Sequence, residues 1–121
     1  TPLKGMPLKV LQLVNTKVKD LTPLKGMGLT TLELASCLEI KDITPLKGMP
    51  LTHLTLNGCD NLKDLSPLAD LKTLETLTIP AHFKGDKIEF LRKLPNLKHL
   101  DYEWSAKLLP ADEFWKKYGG K

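Results

Sequence analysis

The residues best suited to metal chemistry lie on one short segment near the C-terminal end of the chain. His99, Asp101 and Glu103 alternate along this segment, so in a β-strand all three point to one face. His53 stands at the matching position of a related segment earlier in the chain. Imidazole and carboxylate groups bind zinc, but residues two apart on a strand lie ~6.6 Å apart and diverge instead of converging on one ion. We therefore expect a solvated polar face with no metal and no cofactor.

The remaining candidates for catalysis are weaker still. Cys37 and Cys59 are the only cysteines, too few for a disulfide-stapled fold, and they lack the paired spacing of a zinc site. The sequence has no nucleophile elbow of the G-x-S-x-G type, no phosphate-binding P-loop and no H-E-x-x-H motif. We therefore predict a protein that is not an enzyme.

Composition places the chain among ordinary globular proteins of one domain. It has 121 residues, 26 of them leucine, with 26% charged residues and a net charge of +4. No stretch approaches the ~18 apolar residues of a membrane span, and the N-terminus lacks the profile of a signal peptide. The chain begins inside a repeat, which suggests a fragment of a larger protein. The compartment is not determined by these residues, although the cytoplasm is slightly favoured.

An internal repeat sets the architecture. The string Thr-Pro-Leu-Lys-Gly-Met occurs at 1–6, 22–27 and 44–49, and related segments follow in steps of 22 and 23 residues. After each copy comes the pattern Leu-x-x-Leu-x-Leu, whose period-2 ending predicts a short strand. One strand every ~22 residues leaves no room for a long crossover helix, so the strands must stack as a parallel solenoid. The sequence thus predicts an α/β leucine-rich-repeat horseshoe with about five strands on its concave side.

The segment between strands predicts a tight turn on the convex side. Asp-Leu/Ile-Thr/Ser-Pro-Leu begins at Asp20, Asp42 and Asp64. Ser or Thr can cap the free amides of a helical turn, and proline fits its first position. Gly26 and Gly48 follow too soon for a long helix, so we expect a single 3₁₀ turn in each repeat.

A column of small polar side chains is predicted inside the solenoid, three residues after the last leucine of each strand. Neighbouring members lie about one strand spacing, ~5 Å, apart, which permits a disulfide between the two cysteines. Because both point the same way in a packed ladder, we favour free and unreactive thiols. The predicted ladder consists of Thr16, Cys37, Cys59, His82 and Ser105.

The C-terminal segment predicts a capping helix. Residues 109–119 begin with proline and two acids and end with lysines before a glycine, the polarity of a short helix. Phe114, Trp115 and Tyr118 share one face of it. We predict that they cover the open core of the last repeat; an exposed partner-binding helix is the alternative. The predicted organisation is therefore repeats over 1–105, the first one truncated, and a cap with a flexible tail over 106–121.

These repeats resemble the 22-residue leucine-rich repeats of bacterial internalin-type proteins. The matching stretches are Ile-Lys-Asp-Ile-Thr-Pro-Leu at 40–46 and Leu-Lys-Asp-Leu-Ser-Pro-Leu at 62–68. The wording Pro-Leu-Lys-Gly-Met-Pro-Leu-Thr at 45–52 is similar to planctomycete-type arrays, several of which follow a serine/threonine kinase domain and close on a segment like 110–116. The resemblance implies a bacterial repeat protein and says little about its ligand.

The predicted function is protein or peptide binding on the concave face. The alternating outward positions of the strands carry acids and threonines but no Lys or Arg, and Trp104 at the rim is the strongest single candidate for an anchor. The residues predicted to contact a partner are Val10, Gln12, Val14, Thr31, Glu33, His53, Thr55, Asn57, Thr78, His99, Asp101, Glu103 and Trp104.

Other readings of the surface stay open. One is a scaffolding or sensory appendage of a receptor-like kinase, without a ligand of its own. Another is polyanion binding by the convex column of Lys4, Lys25 and Lys47, although the absence of interleaved aromatics makes nucleic acid an unfavoured partner. A homodimer through the uncapped first strand is also predicted, because an open edge invites pairing with a second chain. The residues of this edge are Leu8, Lys9, Val10, Leu11, Gln12 and Leu13.

Overall fold

A computed structural model describes residues 9–24, 28–83, 87–102 and 109–118, and the structural statements below concern these residues. They form a five-stranded parallel sheet in which sequence order and spatial order coincide. The strands are β1 (Val10–Gln12), β2 (Thr31–Glu33), β3 (His53–Thr55), β4 (Thr76–Thr78) and β5 (His99–Asp101). One helix, α1 (Ala111–Tyr118), follows the last strand. This is the predicted leucine-rich-repeat solenoid.

The middle residue of every strand is a leucine that points into the core. The register places these residues in one column: Leu11, Leu32, Leu54, Leu77 and Leu100. The last four are fully buried, whereas Leu11 is half-buried. Parallel strands in this register give each leucine an identical neighbour one strand away. The repeat spacing of the sequence thus becomes a continuous apolar core.

The convex side consists of the predicted 3₁₀ turns, at Thr22–Leu24, Thr44–Leu46, Ser66–Asp70 and Glu89–Lys93. Proline stands in the first turn of the second and third, as predicted. The Ser and Thr hydroxyls, however, do not cap these turns. The preceding aspartate does so: the backbone N–H of Thr44 donates to Asp42 Oδ1 at 2.9 Å, and that of Ser66 to Asp64 Oδ1 at 2.9 Å. The hydroxyl of Ser66 turns toward the same carboxylate, with its Oγ 2.8 Å from Asp64 Oδ2.

These hydrogen bonds favour the ionised form of each carboxyl group. The Thr44 hydroxyl and then its backbone N–H hold the pKa of Asp42 below the ordinary value. Asp20 is affected in the same way by Thr22, and Asp64 by the backbone N–H and then the hydroxyl of Ser66. The same pH-dependent hydrogen bonding of an aspartate to the following Thr or Ser is therefore repeated in three turns along the convex side.

The interior ladder contains the two cysteines, and both thiols are free and buried. Each bonds to the preceding repeat: the Cys37 thiol donates to the carbonyl of Leu13 at 2.8 Å, and the Cys59 thiol to that of Leu34 at 2.9 Å. Burial, the largest influence, raises the pKa of the Cys59 thiol to about 11. These sulfur atoms therefore act as small hydrogen-bonding core groups.

The predicted fourth member of the ladder is wrong. His82 is exposed, although its Nε2 lies 2.9 Å from the carbonyl oxygen of Leu62. Phe83 fills the interior position instead, 3% exposed, because the turn after β4 is one residue longer than those after β2 and β3. Its N–H bonds to the carbonyl of Pro80, as that of Cys59 bonds to Leu56. Ser105, the fifth predicted member, lies outside the described residues.

The C-terminal segment covers the last strand in two ways. Its backbone pairs antiparallel with β5: the N–H of Leu100 donates to the carbonyl of Leu109 and that of Ala111 to the carbonyl of Lys98. Phe114 is fully buried and lies against Tyr102, with ring centroids 5.3 Å apart. Trp115 is half-buried at the edge of this cluster. The side chain of Tyr118, predicted to share in the cap, lies outside the described part of the structure.

No described helix is long and apolar enough to cross a bilayer.

Candidate partner-binding site

The outward side chains of the sheet form two parallel columns on the concave face. One column runs along the first residue of each strand and the other along the third. The register gives the first as Val10, Thr31, His53, Thr76 and His99, and the second as Gln12, Glu33, Thr55, Thr78 and Asp101. Most of the predicted contact residues are thus brought onto one surface.

Two of these predicted contact residues offer little or no surface to a partner. Thr55 is 5% exposed and Thr78 fully buried. The reason is their hydroxyl bonding to the neighbouring strand: the N–H of Leu34 donates to Thr55 Oγ1 at 3.1 Å, and that of Leu56 to Thr78 Oγ1 at 3.2 Å. These threonines therefore join the strands. The full burial of Thr78 corrects the expectation that it contacts a partner, whereas Thr55 keeps a small exposed surface. Thr76 and Pro80, the other outward residues of this repeat, are buried as well.

A groove opens where β1, β2 and β3 end. Its volume is about 310 Å³, near the lower end for a ligand-binding cleft. It is lined by Val14, Glu33, Ala35, Ser36, Thr55 and Asn57. Val14 is 46% exposed, and Val10, at the start of β1 and outside the groove lining, is 51% exposed. The groove therefore offers an apolar wall beside a carboxylate and a carboxamide.

Glu33 provides the only charge in the groove lining. Its Oε1 accepts a hydrogen bond from Gln12 Nε2 at 3.2 Å, which fixes the carboxylate against the neighbouring strand. Among the described residues Glu33 forms no ion pair; the two that exist there join Lys47 to Asp70 and Arg92 to Glu89. A half-buried carboxylate whose described neighbours within hydrogen-bonding distance are all neutral attracts a cationic ligand.

Asn57 is oriented by the buried threonine beside it. Thr78 Oγ1 donates to Asn57 Oδ1 at 2.7 Å. Because the carboxamide oxygen accepts this bond, the two N–H donors of Nδ2 lie on the other side of the group. No described residue accepts a hydrogen bond from them. Asn57 is therefore a prepared donor at the edge of the groove.

The turns that frame the groove need a left-handed backbone at one position each. Asn15, Ser36 and Gly58 stand at this position, with φ of 59°, 61° and 81°. Asn and Gly adopt this conformation readily, whereas Ser does so at a cost. A Cβ added to Gly58 would lie 2.8 Å from Ser36 Oγ. Glycine is therefore required at 58 by both the turn and the close approach of its neighbour.

The residues first considered for metal chemistry are spread along the face. His53 and His99 stand on β3 and β5 with Thr76 between them in the register, and His53 Nδ1 lies 2.9 Å from Thr52 Oγ1. Asp101 Oδ1 accepts a hydrogen bond from the N–H of Tyr102 at 2.7 Å. The described residues contain no cluster of three metal-ligating side chains. Glu103 and Trp104, and Leu8 of the predicted edge, lie outside them.

The convex lysines are interspersed with acids. Lys47 lies 3.5 Å from Asp70, with both side chains more than half exposed, and Lys4 and Lys25 lie outside the described residues. Lys19, Lys41 and Lys63 directly precede the three turn aspartates. Alternating charges of this kind weaken the field that a polyanion would need.

Sequence reasoning assigned no binding role to two residues of the groove, Ala35 and Ser36. Ala35 stands at an outward position two residues after the end of β2, so the alternation of the strand contained the signal. Ser36 gave none, because its contribution depends on the left-handed turn that only the backbone reveals.

Comparison with known proteins supports the fold and leaves the activity open. No protein-family model matches the chain, and no curated protein matches it in sequence. Among solved structures, an internalin (inlF) from Listeria monocytogenes superposes with a TM-score of 0.62 at 25% identity, over 83% of this chain and 31% of that one. Internalin C2 from the same organism is 30% identical over 83% of this chain and 65% of that one, with a TM-score of 0.33. The chain thus spans less than two thirds of either protein. The repeats, the parallel sheet and the first of these similarities identify the fold as a leucine-rich-repeat solenoid similar to that of a bacterial internalin.

Proposed function

We propose that this solenoid is a non-enzymatic interaction module that binds a protein or peptide partner on its concave face. The observation that carries the proposal is the groove at the ends of β1 to β3, where the exposed Val14 borders the Glu33 carboxylate, which forms no ion pair with a described residue. Exposed aliphatic side chains next to polar groups of fixed geometry are typical of recognition sites. The similarity to an internalin repeat domain supports an interaction role in general.

The small size of the face sets the expected strength. Five short strands and one groove offer less area than the ~800 Å² per partner of a standard interface. We therefore expect affinities of about micromolar strength for a single short peptide. A partner that also contacts the rim beyond the groove should bind more tightly.

A selection from a random peptide library displayed on phage tests this function. The affinity of the selected peptides is measured for the unmodified chain and for two variants with three substitutions each. The concave variant carries Val10→Ser, Val14→Ser and Glu33→Gln, and the convex control carries Lys19→Ser, Lys41→Ser and Lys63→Ser. We expect the concave variant to lose at least tenfold in affinity and the convex control to keep it. Peptides that bind the concave variant unchanged would contradict the proposal.

Self-association through the first strand is a second, independent proposal. Leu11 and Leu13 are only half-buried, whereas their counterparts in β2 to β4 are completely buried. Apolar surface of this kind favours contact with a second copy. Sedimentation over a wide concentration range should show a monomer–dimer equilibrium that Gln12→Pro weakens, because the change distorts the strand and removes one donor. A monomer at all concentrations would refute it.

The kinase association suggested by the sequence resemblance also stays a prediction.

A further inference from the structure

We infer that the groove takes the side chain of an arginine in the partner. This inference rests on the proposed function and specifies its ligand. It comes from three features of the groove lining: an apolar wall, a carboxylate that forms no ion pair within the described part of the chain, and an oriented carboxamide donor.

The dimensions favour one long side chain. A volume of about 310 Å³ is at the lower limit of small-molecule clefts. Val14 and Ala35 form aliphatic surface along which a chain of methylene groups can pack. Long cationic side chains combine such a stem with a charged end, which suits a groove that is apolar on one side and acidic on the other.

The electrostatics select a cation. Glu33 is the charged residue of the groove, and its Oε2 accepts no hydrogen bond from a described residue. The other charged residue on the described outward positions is Asp101, and none of those positions is Lys or Arg. The face is therefore acidic although the whole chain carries a net charge of +4. A basic segment is attracted to this face and repelled by the rest of the surface.

The hydrogen-bonding groups distinguish arginine from lysine. A guanidinium offers five N–H donors in a plane, so it can reach both oxygens of Glu33 and the side-chain carbonyl of Gln12. It is also more weakly hydrated than an ammonium group and loses less on entering a partly apolar groove. The Nδ2 donors of Asn57 are then positioned to bind a backbone carbonyl of the partner, because Thr78 holds the other end of the carboxamide.

The test uses small blocked amino acids as probes. N-acetyl-arginine N-methylamide is titrated into the isotope-labelled chain, and the backbone amides and the Asn57 side-chain amide are followed by NMR. The matched control is the corresponding citrulline compound, which has nearly the same shape and no charge. We expect the arginine probe to shift the signals of Val14, Leu34 and Asn57 with a dissociation constant of about millimolar size, and the citrulline probe to bind about tenfold more weakly.

Two variants locate the effect. Glu33→Gln keeps the size of the side chain and should remove the difference between the two probes. Asp101→Asn removes the other acid on the described outward positions, three strand spacings or about 14 Å from Glu33, and should leave binding in the groove unchanged. Equal binding of the arginine and citrulline probes to the unmodified chain would overturn the inference, and that comparison does not depend on how any variant folds.

Further outcomes separate this inference from the proposed function. Tighter binding of the equivalent lysine probe, or equal binding of a norleucine probe, would overturn the assignment to arginine. Peptides selected on the concave face that lack arginine would do the same, while supporting the concave face as the interaction surface. Selected peptides that contain arginine and lose affinity with Glu33→Gln would support both.

Discussion

The two halves of the concave face are built from the same repeat, but one half has an open groove and the other does not. From β1 to β3 the residues after each strand are Val14, Ala35 and Asn57, and they line an open groove. After β4 the corresponding place is taken by a buried proline, and the turn has one more residue. The comparison shows that the shorter turns after β1 to β3 leave an open groove beside the sheet. In the longer turn after β4, side chains of the turn itself are buried at this place.

The half of the face without the groove, β4 and β5, also includes the C-terminal end of the solenoid. Tyr102 connects its two parts, because its hydroxyl donates to the carbonyl of Phe83 at 2.8 Å and its ring lies against Phe114. The Arg92 guanidinium covers the ring of Trp115 at 4.3 Å. This end is therefore stabilised by aromatic contacts, and the groove end by strand-to-strand hydrogen bonds. The following changes probe that division.

The largest effect is expected from Phe114→Ala. This side chain is fully buried, so its truncation leaves a cavity against Tyr102 and should lower the free energy of unfolding by about 3–5 kcal/mol. The measurement is denaturant unfolding followed by circular dichroism. Trp115→Ala is the control, because this half-buried ring should cost less. An equal loss for both variants would show that the cap is not anchored by Phe114.

Thr78→Val should come next, with a loss of about 1–2 kcal/mol. The valine keeps the shape but cannot donate to Asn57 Oδ1, so the carboxamide oxygen of this half-buried residue loses its partner. Thr31→Val, at a half-buried outward position of β2, is the matched control and should change stability by less than about 0.5 kcal/mol. Thermal unfolding of both variants compares them. If Thr78→Val is neutral, the hydroxyl does not join the two halves of the face.

Ser36→Gly should stabilise the chain slightly, by about 0.5 kcal/mol. The left-handed φ of 61° costs a non-glycine residue ~1–2 kcal/mol, and glycine recovers most of this while adding ~0.5–1 kcal/mol of backbone entropy. The same change removes the oxygen that a Cβ at Gly58 would meet. Gly58→Ala should therefore be less harmful in the Ser36→Gly background than alone. Additive effects in this double-mutant cycle would exclude the steric contact.

The smallest effect concerns acid. The pKa values of Asp20, Asp42 and Asp64 are lowered in the folded chain, so their contribution is complete above the ordinary pKa of ~3.9 and disappears as the pH falls through the lower folded values. Asp42→Asn should therefore flatten the decline of stability below pH 4. The control is Asp60→Asn, an exposed aspartate outside these turns. A decline as steep in Asp42→Asn as in the unmodified chain would contradict this assignment.

The sequence predicted the repeat architecture because leucine spacing alone determines which residues enter the core. The five strands, the convex turns and the capping position of Phe114 follow from periodicity. Counting three residues from Ile79 to His82 failed because a repeat step of 23 residues reveals an extra residue but not its position within the repeat. The burial of Thr55 and Thr78 was missed for another reason: alternation predicts the direction of a side chain and not how closely the neighbouring strand covers it.

The two ladder cysteines also provide a way to observe the opening of the chain. At pH 8 the Cys59 thiol, with its pKa of about 11, is ionised in roughly one molecule in a thousand, and only the thiolate reacts with alkylating reagents. The carbonyl bonds of Cys37 and Cys59 to the preceding repeats must break before either sulfur meets reagent. The rate of iodoacetamide labelling, measured by mass spectrometry at each cysteine, therefore reports how often adjacent repeats separate, and no cysteine has to be introduced.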